Sequence, residues 1–221
     1  QRTTSQEGLV DMRKVYDGKL DELSALIGSA GELCLEGIKG ALQGFFENNK
    51  DEAQKAAEIF AETEEKEREV ENLCIKLYMK QQPVADDLRK VSASLKMVTD
   101  VKRISNIAAD MADISLKAKP ISWGDFDSSN MEELAKCAVE MTENSLKAFV
   151  EGDVNKAKEV IAEDDKADSL FEEVKSDITD AIKKDVLKEE AADVLLAAKY
   201  MEKVGDHAVN IAEWAVFCSG D

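Results

Sequence analysis

The chain has 221 residues, of which 44% are hydrophobic and 34% charged, with a formal net charge of −18. That charge argues against nucleic acid as a partner, because phosphates need Lys and Arg, and against tight binding to anionic lipid surfaces. It suits cations or basic protein surfaces, or serves solubility alone.

With 2 prolines and 11 glycines the chain has few interruptions, and they mark six helical stretches. The first is expected from Glu7 to Phe46, with a break near Gly28 to Gly31. Asn48-Asn49-Lys50-Asp51 reads as a turn and helix cap, and a second helix follows to Lys80. Gln81-Gln82-Pro83 closes it, since proline cannot continue a helix. A third runs from Pro83, at its first turn, to Lys117. Lys119-Pro120-Ile121-Ser122-Trp123-Gly124-Asp125 is the longest stretch of breakers and is taken as the boundary between halves. Ser128-Ser129-Asn130 caps a fourth helix to Val150, Glu151-Gly152-Asp153 turns into a fifth to Lys184, and a sixth spans Glu189 to Phe217.

The halves resemble each other. Arg103-Ile104-Ser105-Asn106-Ile107-Ala108 lies 100 positions before Lys203-Val204-Gly205-Asp206-His207-Ala208. An internal repeat of that length is too long for a solenoid and reads as two tandem three-helix units. The expected fold is therefore all-α, two pseudo-repeated three-helix bundles: residues 6–118, a linker 119–127, and residues 128–218. Seams such as Val194, Ala197, Met201, Val204, Ala208, Ile211 and Ala215 step by three and four, as in helix bundles.

No apolar run approaches the roughly 20 residues of a membrane span, and no signal peptide is visible. Gln1 in place of Met leaves a trimmed or longer parent chain open. Cys34, Cys74, Cys137 and Cys218 form no CxxC and read as core residues of a reducing cytoplasm. His207 is the sole histidine. With one histidine and no phosphate-cradling loop, no active site is expected.

Two acidic segments stand out. Asp164 and Asp168 are four residues apart and are continued by Glu172; Glu202 and Asp206 repeat the spacing and are continued by Asn210 and Glu213. Carboxylates four apart on a helix lie one above the other and repel. At about 100° per residue, Glu202, Asp206 and Glu213 fall about 150° from their seam and Asp164, Asp168 and Glu172 about 100° away, so both stripes are expected on the surface. A solvated acidic face is the plain explanation. Three features favour a cation instead: Gly205 interrupts a strong helix, which suggests close packing or close approach of a ligand, Lys199 and Lys203 fall off the stripe, and the two helices should be antiparallel neighbours, converging four carboxylates with His207 and Asn210 nearby. Such oxygen-rich clusters suit Mg²⁺, Ca²⁺, Mn²⁺ or bridged iron.

Glu202-Lys203-Val204-Gly205-Asp206-His207-Ala208-Val209-Asn210-Ile211-Ala212-Glu213 closely resembles the signature helix of the PhoU family. Glu163-Asp164-Asp165-Lys166-Ala167-Asp168 resembles its preceding helix, and Gln82-Pro83-Val84-Ala85-Asp86-Asp87-Leu88-Arg89 its QP-x-A-x-DLR junction. The resemblance covers essentially the whole chain. It implies a non-enzymatic cytoplasmic regulator of phosphate uptake and phosphate-responsive signalling, peripherally associated with a membrane transporter. The partners it implies are the ATPase subunit of the phosphate ABC transporter and a membrane sensor histidine kinase, with a homodimer and no direct membrane insertion. Carried over by residue, Asp164, Asp168, Glu202 and Asp206 would ligate metal, iron foremost, with Mg, Mn, Ca or Zn as alternatives. Other readings are a regulatory domain of a sodium–phosphate cotransporter, a metal-handling protein and a metal-free acidic scaffold.

The first half departs from the pattern. It has Lys102 and Asn106 where the signature carries Glu and Asp, and on the preceding helix only Glu64 or Glu65 matches the expected acids. The first cluster is expected to be lost, unless Asp100, Asp110 and Asp113 rebuild it.

Overall fold

A computed structural model describes the backbone of residues 2–80, 85–124, 126–187 and 189–220, and the side chains from Arg13 onward apart from Lys80. It contains α1 (Arg2–Phe46), α2 (Lys50–Lys80), α3 (Ala85–Lys117), α4 (Ser129–Glu151), α5 (Val154–Lys183) and α6 (Ala191–Ser219). The expected boundaries hold within a few residues. The Gln82-Pro83 junction and Asp125 lie outside the described residues.

Local chemistry sets the ends. Asn48 closes α1 in the left-handed region, at φ 53°, where Asn is favoured among residues with a side chain. Asn49 then caps α2, its Oδ1 accepting from the backbone N–H groups of Asp51 and Glu52. In the second half Gly152 takes the left-handed position at φ 70° and Asp153 caps α5 by accepting from the Lys156 N–H.

The break expected near Gly28 to Gly31 is absent: α1 runs through it. A methyl group at Gly31 would come within 3.2 Å of Leu146 on α4. The glycine thus admits a neighbouring helix, and burial of Ile27, Ala30 and Cys34 on the same face outweighs its helix cost of about 1 kcal/mol.

Helices α1, α2 and α3 pack together, as do α4, α5 and α6. The repeat extends to individual core positions. On α1, Ile27, Ala30, Cys34, Ile38, Ala41, Leu42 and Phe45 recur 104 residues later as Met131, Leu134, Ala138, Thr142, Ser145, Leu146 and Phe149, all buried. On α2, Ala53, Ala56, Thr63, Val70 and Cys74 recur at the same displacement as Ala157, Val160, Ala167, Val174 and Ile178. For α3 the displacement is 100: Met97, Val98, Val101, Ile104 and Ala108 become Ala197, Ala198, Met201, Val204 and Ala208.

The halves are not beads on a string. Helix α3 packs on α6 and α1 on α4, and the buried side chains of all six helices join one apolar cluster. The linker is part of the packing. Asn48 donates from Nδ2 to the Ile121 carbonyl (3.1 Å) and accepts the Ile121 N–H on Oδ1 (2.7 Å). Trp123 donates from Nε1 to the Phe46 carbonyl (2.9 Å), and its ring lies against Phe45, Phe46 and Phe126.

Candidate metal centre

The acids of the second repeat come from α5 and α6, which are packed together as expected. Asp164 is half-buried and Asp168 exposed. Burial raises the pKa of Asp164, and the charges of Asp168, Asp206, Asp165 and Glu202 push it further up. Asp164 thus lies within the fields of the other three candidate ligands, on top of its burial.

Two expectations about this region need correcting. The stripe on α6 is not simply a surface face, because the Glu202 side chain keeps only 12% of its exposure. Helix α6 is enclosed by α3, α4 and α5, so the side opposite one seam is not open water. The lysines also do not fall off the stripe. Lys199 Nζ is 2.6 Å and Lys203 Nζ 3.7 Å from Glu202 Oε2, and Lys203 Nζ is 2.5 Å from Asp206 Oδ2. Flexible four-carbon stems at i+3 and i+1 curl back across the helix surface, which a wheel of Cβ directions does not capture. Glu202 Oε2 is sealed from water and makes no directed hydrogen bond, so the close approach of Lys199 is an ionic contact without alignment.

For Gly205 the structure selects close packing from the two readings. The residue packs under α4 and α5: a methyl there would meet Met141 Sδ at 3.6 Å and Ala167 Cβ at 3.9 Å. Those are ordinary contacts, so the glycine marks helix packing and not the approach of a ligand.

His207 and Asn210 turn away from the four acids. Both reach Asp100 on α3: His207 Nδ1 lies 2.9 Å and Asn210 Nδ2 3.2 Å from the same oxygen, Oδ1. Asp100 is 7% exposed, and a carboxylate only accepts, so each nitrogen carries a proton toward it. Burial and the charge of Asp110 on α3 raise the Tyr200 pKa. Position 100 matches 200 and 110 matches 210, so α3 and α6 meet through matching positions of the two repeats. Nothing in a single helix signals such a contact; it needs the pairing of α3 with α6. Glu213 is exposed at the far end of the stripe.

In the first repeat Asp110 and Asp113 are neighbours, burial and then the Asp113 charge raising the Asp110 pKa, but Asp100 does not join them. Asp100 is held across the seam, Asp110 accepts from Asn106 Nδ2 at 3.3 Å, and Asp113 pairs with Lys117 at 2.5 Å. Among the described residues no group of three or more His, Cys, Asp or Glu side chains is already drawn into metal-ligand geometry.

By donor type the second repeat would suit a hard cation, since it offers carboxylate oxygen from two helices and, among the described residues, no lysine or arginine forms an ion pair with Asp164 or Asp168. Glu202 and Asp206 are held by Lys199 and Lys203, which a cation would have to displace; the two lysines keep 42% and 45% of their side-chain exposure. The thiols are not competitors: Cys34, Cys74 and Cys137 are buried and all four cysteines are free.

A family profile described as the PhoU domain matches residues 27–115 and 131–215. The chain is 28% identical, over 93% of its length and 94% of the relative's, to a Clostridium acetobutylicum protein named phosphate-specific transport system accessory protein PhoU homolog. It is 26% identical over similar shares to a Methanothermobacter thermautotrophicus homolog of the same description. The crystal structure of PhoU from Pseudomonas aeruginosa superimposes with a TM-score of 0.85 at 21% identity, over 93% of this chain and 99% of that one. A phosphate transport system regulatory protein from Streptococcus pneumoniae gives 0.84 at 22% identity.

Proposed function

The chain belongs to the PhoU family, and from that premise we propose that it is a regulatory accessory protein of phosphate-specific transport whose second repeat carries a carboxylate metal centre. Support for the first part comes from relatives named as accessory proteins that this chain covers nearly end to end. No described helix is long and apolar enough to cross a membrane, so attachment to a transporter runs through protein surfaces. The proposed partners are the transporter's ATPase subunit and a membrane sensor histidine kinase on the cytoplasmic side, with two copies of the chain forming a homodimer. The role is one of restraint and signalling, not catalysis. A net charge of −18 favours basic docking surfaces on those partners and speeds their encounter.

What supports the metal reading is the packing of α5 on α6, which puts two pairs of carboxylates spaced four apart on adjoining helices, with burial and the charges of Asp168, Asp206, Asp165 and Glu202 raising the pKa of Asp164. Asp164, Asp168, Glu202 and Asp206 would hold the ion, iron foremost or Mg²⁺, Mn²⁺, Ca²⁺ or Zn²⁺. Its charge would cancel their repulsion and clamp α5 to α6. Lys203 and Lys199 are the gates, since they must leave Asp206 and Glu202 for those oxygens to bind. Metal occupancy thus sets how tightly the two helices are held.

Elemental analysis of protein purified without chelator tests the centre. Wild type and Asn106→Ala should carry the same few ions per chain and Asp206→Ala far less. Equal metal in all three, or none in wild type, refutes it, and many ions per chain would indicate storage. Capture of the ATPase subunit at high phosphate tests the regulatory role; no binding beside an intact control sinks it.

A further inference from the structure

The two repeats differ in charge at matching helix positions, and on the third helix of each the sign is exchanged. Lys102 on α3 stands where α6 has Glu202, and Glu64 on α2 where α5 has Asp168. Lys102 Nζ lies 2.7 Å from Glu67 and 3.3 Å from Glu64. Glu67 is only 6% exposed, and a carboxylate so deep is costly to bury unless it is paired. At the position matching Glu67, the second repeat has an apolar residue, Phe171, on whose ring Lys199 rests at 4.9 Å. The buried acid thus occurs in the repeat that has the lysine and is replaced in the repeat that lacks it.

The neighbouring positions follow the same logic. Ser105 donates to Thr63 Oγ1 at 3.2 Å, where the second repeat has only the apolar contact of Gly205 with Ala167. Asn106 replaces the ligand-type Asp206 and donates to Asp110. Glu67 and Glu64 also raise the Lys102 pKa, so its ammonium stays charged throughout the neutral range.

We propose that Lys102 is a tethered cation that does in the first repeat what a metal ion does in the second, tying α2 to α3 permanently, so that one half of the molecule is fixed and only the other responds to metal. This rests on the assignment of Asp164, Asp168, Glu202 and Asp206 as ligands. The lysine cannot dissociate, so the first repeat holds its arrangement at any metal concentration. A response to metal loss is then centred on α5 and α6, and reaches the first half through the packing of α6 on α3, where Asp100 lies.

Hydrogen exchange of the full chain, read helix by helix with and without EDTA, tests the division, with metal content measured in parallel. In wild type, EDTA should raise exchange several-fold in α5 and leave α2 unchanged. Lys102→Met should raise exchange in α2 about tenfold, with or without EDTA, and lower the melting temperature by about 4 °C. Lys102→Arg should restore both, since it keeps the cation. EDTA-sensitive exchange in wild-type α2 would overturn the proposal, as would unchanged α2 protection in Lys102→Met. If wild type carries no metal and α5 ignores EDTA, the metal assignment itself fails; the Lys102→Met and Lys102→Arg comparison still decides whether the lysine ties α2 to α3.

Discussion

Replacing Asp100 with alanine should loosen the two repeats from each other. The carboxylate is 7% exposed and one oxygen accepts from both His207 and Asn210. Removing it deletes two hydrogen bonds and leaves two polar groups facing an apolar methyl in a seam with little water. Hydrogen bonds to a charged acceptor contribute about 1.5–3 kcal/mol each, but the mutant also escapes the cost of burying the carboxylate, and His207 retains some contact with solvent. The net loss is about 2 kcal/mol. For a chain of this size that lowers the melting temperature by about 4–8 °C. Urea unfolding and thermal melts of Asp100→Ala, Asn210→Ala and the double variant measure it, with a coupling of about 1 kcal/mol expected in the cycle. The exposed Asp113–Lys117 pair is the control, and Asp113→Ala should change stability by less than about 0.5 kcal/mol. A melting shift below about 2 °C for Asp100→Ala, or a coupling near zero, would refute the claim that this carboxylate joins the halves.

Gly205→Ala should stabilise the protein by about 1 kcal/mol, because the new methyl meets Met141 and Ala167 at ordinary distances while the helix gains a better former; a lower melting temperature would contradict that. Burial pushes the Cys34 and Cys74 thiols up to about 12, against about 9 in an open chain. The unfolded chain therefore loses these protons first. The stabilisation is complete below pH 9 and is lost as pH rises toward 12, by up to about 1.4 kcal/mol per thiol at pH 10. Denaturant midpoints at pH 8 and pH 10, with Cys34→Ala as reference, check the sign; the same burial should make native Cys34 inert to thiol reagents until the chain unfolds.

The fold was legible because its determinants are local. Asn49 and Asp153 announce helix starts by side chains that satisfy their own backbone, and the apolar steps along α6 are the residues later found buried. The repeat was visible because Ile104 and Val204, or Ala108 and Ala208, hold matching core positions. What escaped was non-local. Gly31 resembles a helix breaker until Leu146 is placed against it. His207 and Asn210 resemble ligands, being on the acidic helix, until Asp100 is brought up from the other half. Lys199 and Lys203 were misplaced for a different reason: their Cβ atoms do point off the stripe, and only the length of the side chain returns the charge to it. Lys102 was readable as a foreign charge, but Glu67, three residues from the acid expected there, became visible only with the helices packed.

The segment between the repeats has a mechanical consequence. Ile121 is held at both backbone groups by one asparagine, and Trp123 is bonded to the end of α1 within a stack of aromatic rings. A connector fastened in this way has no slack. Strain generated when α5 and α6 tighten or relax is not absorbed there, and is carried instead along the helices. The spacing between the two halves is then a fixed gauge, against which a docking protein can register a small change at one end.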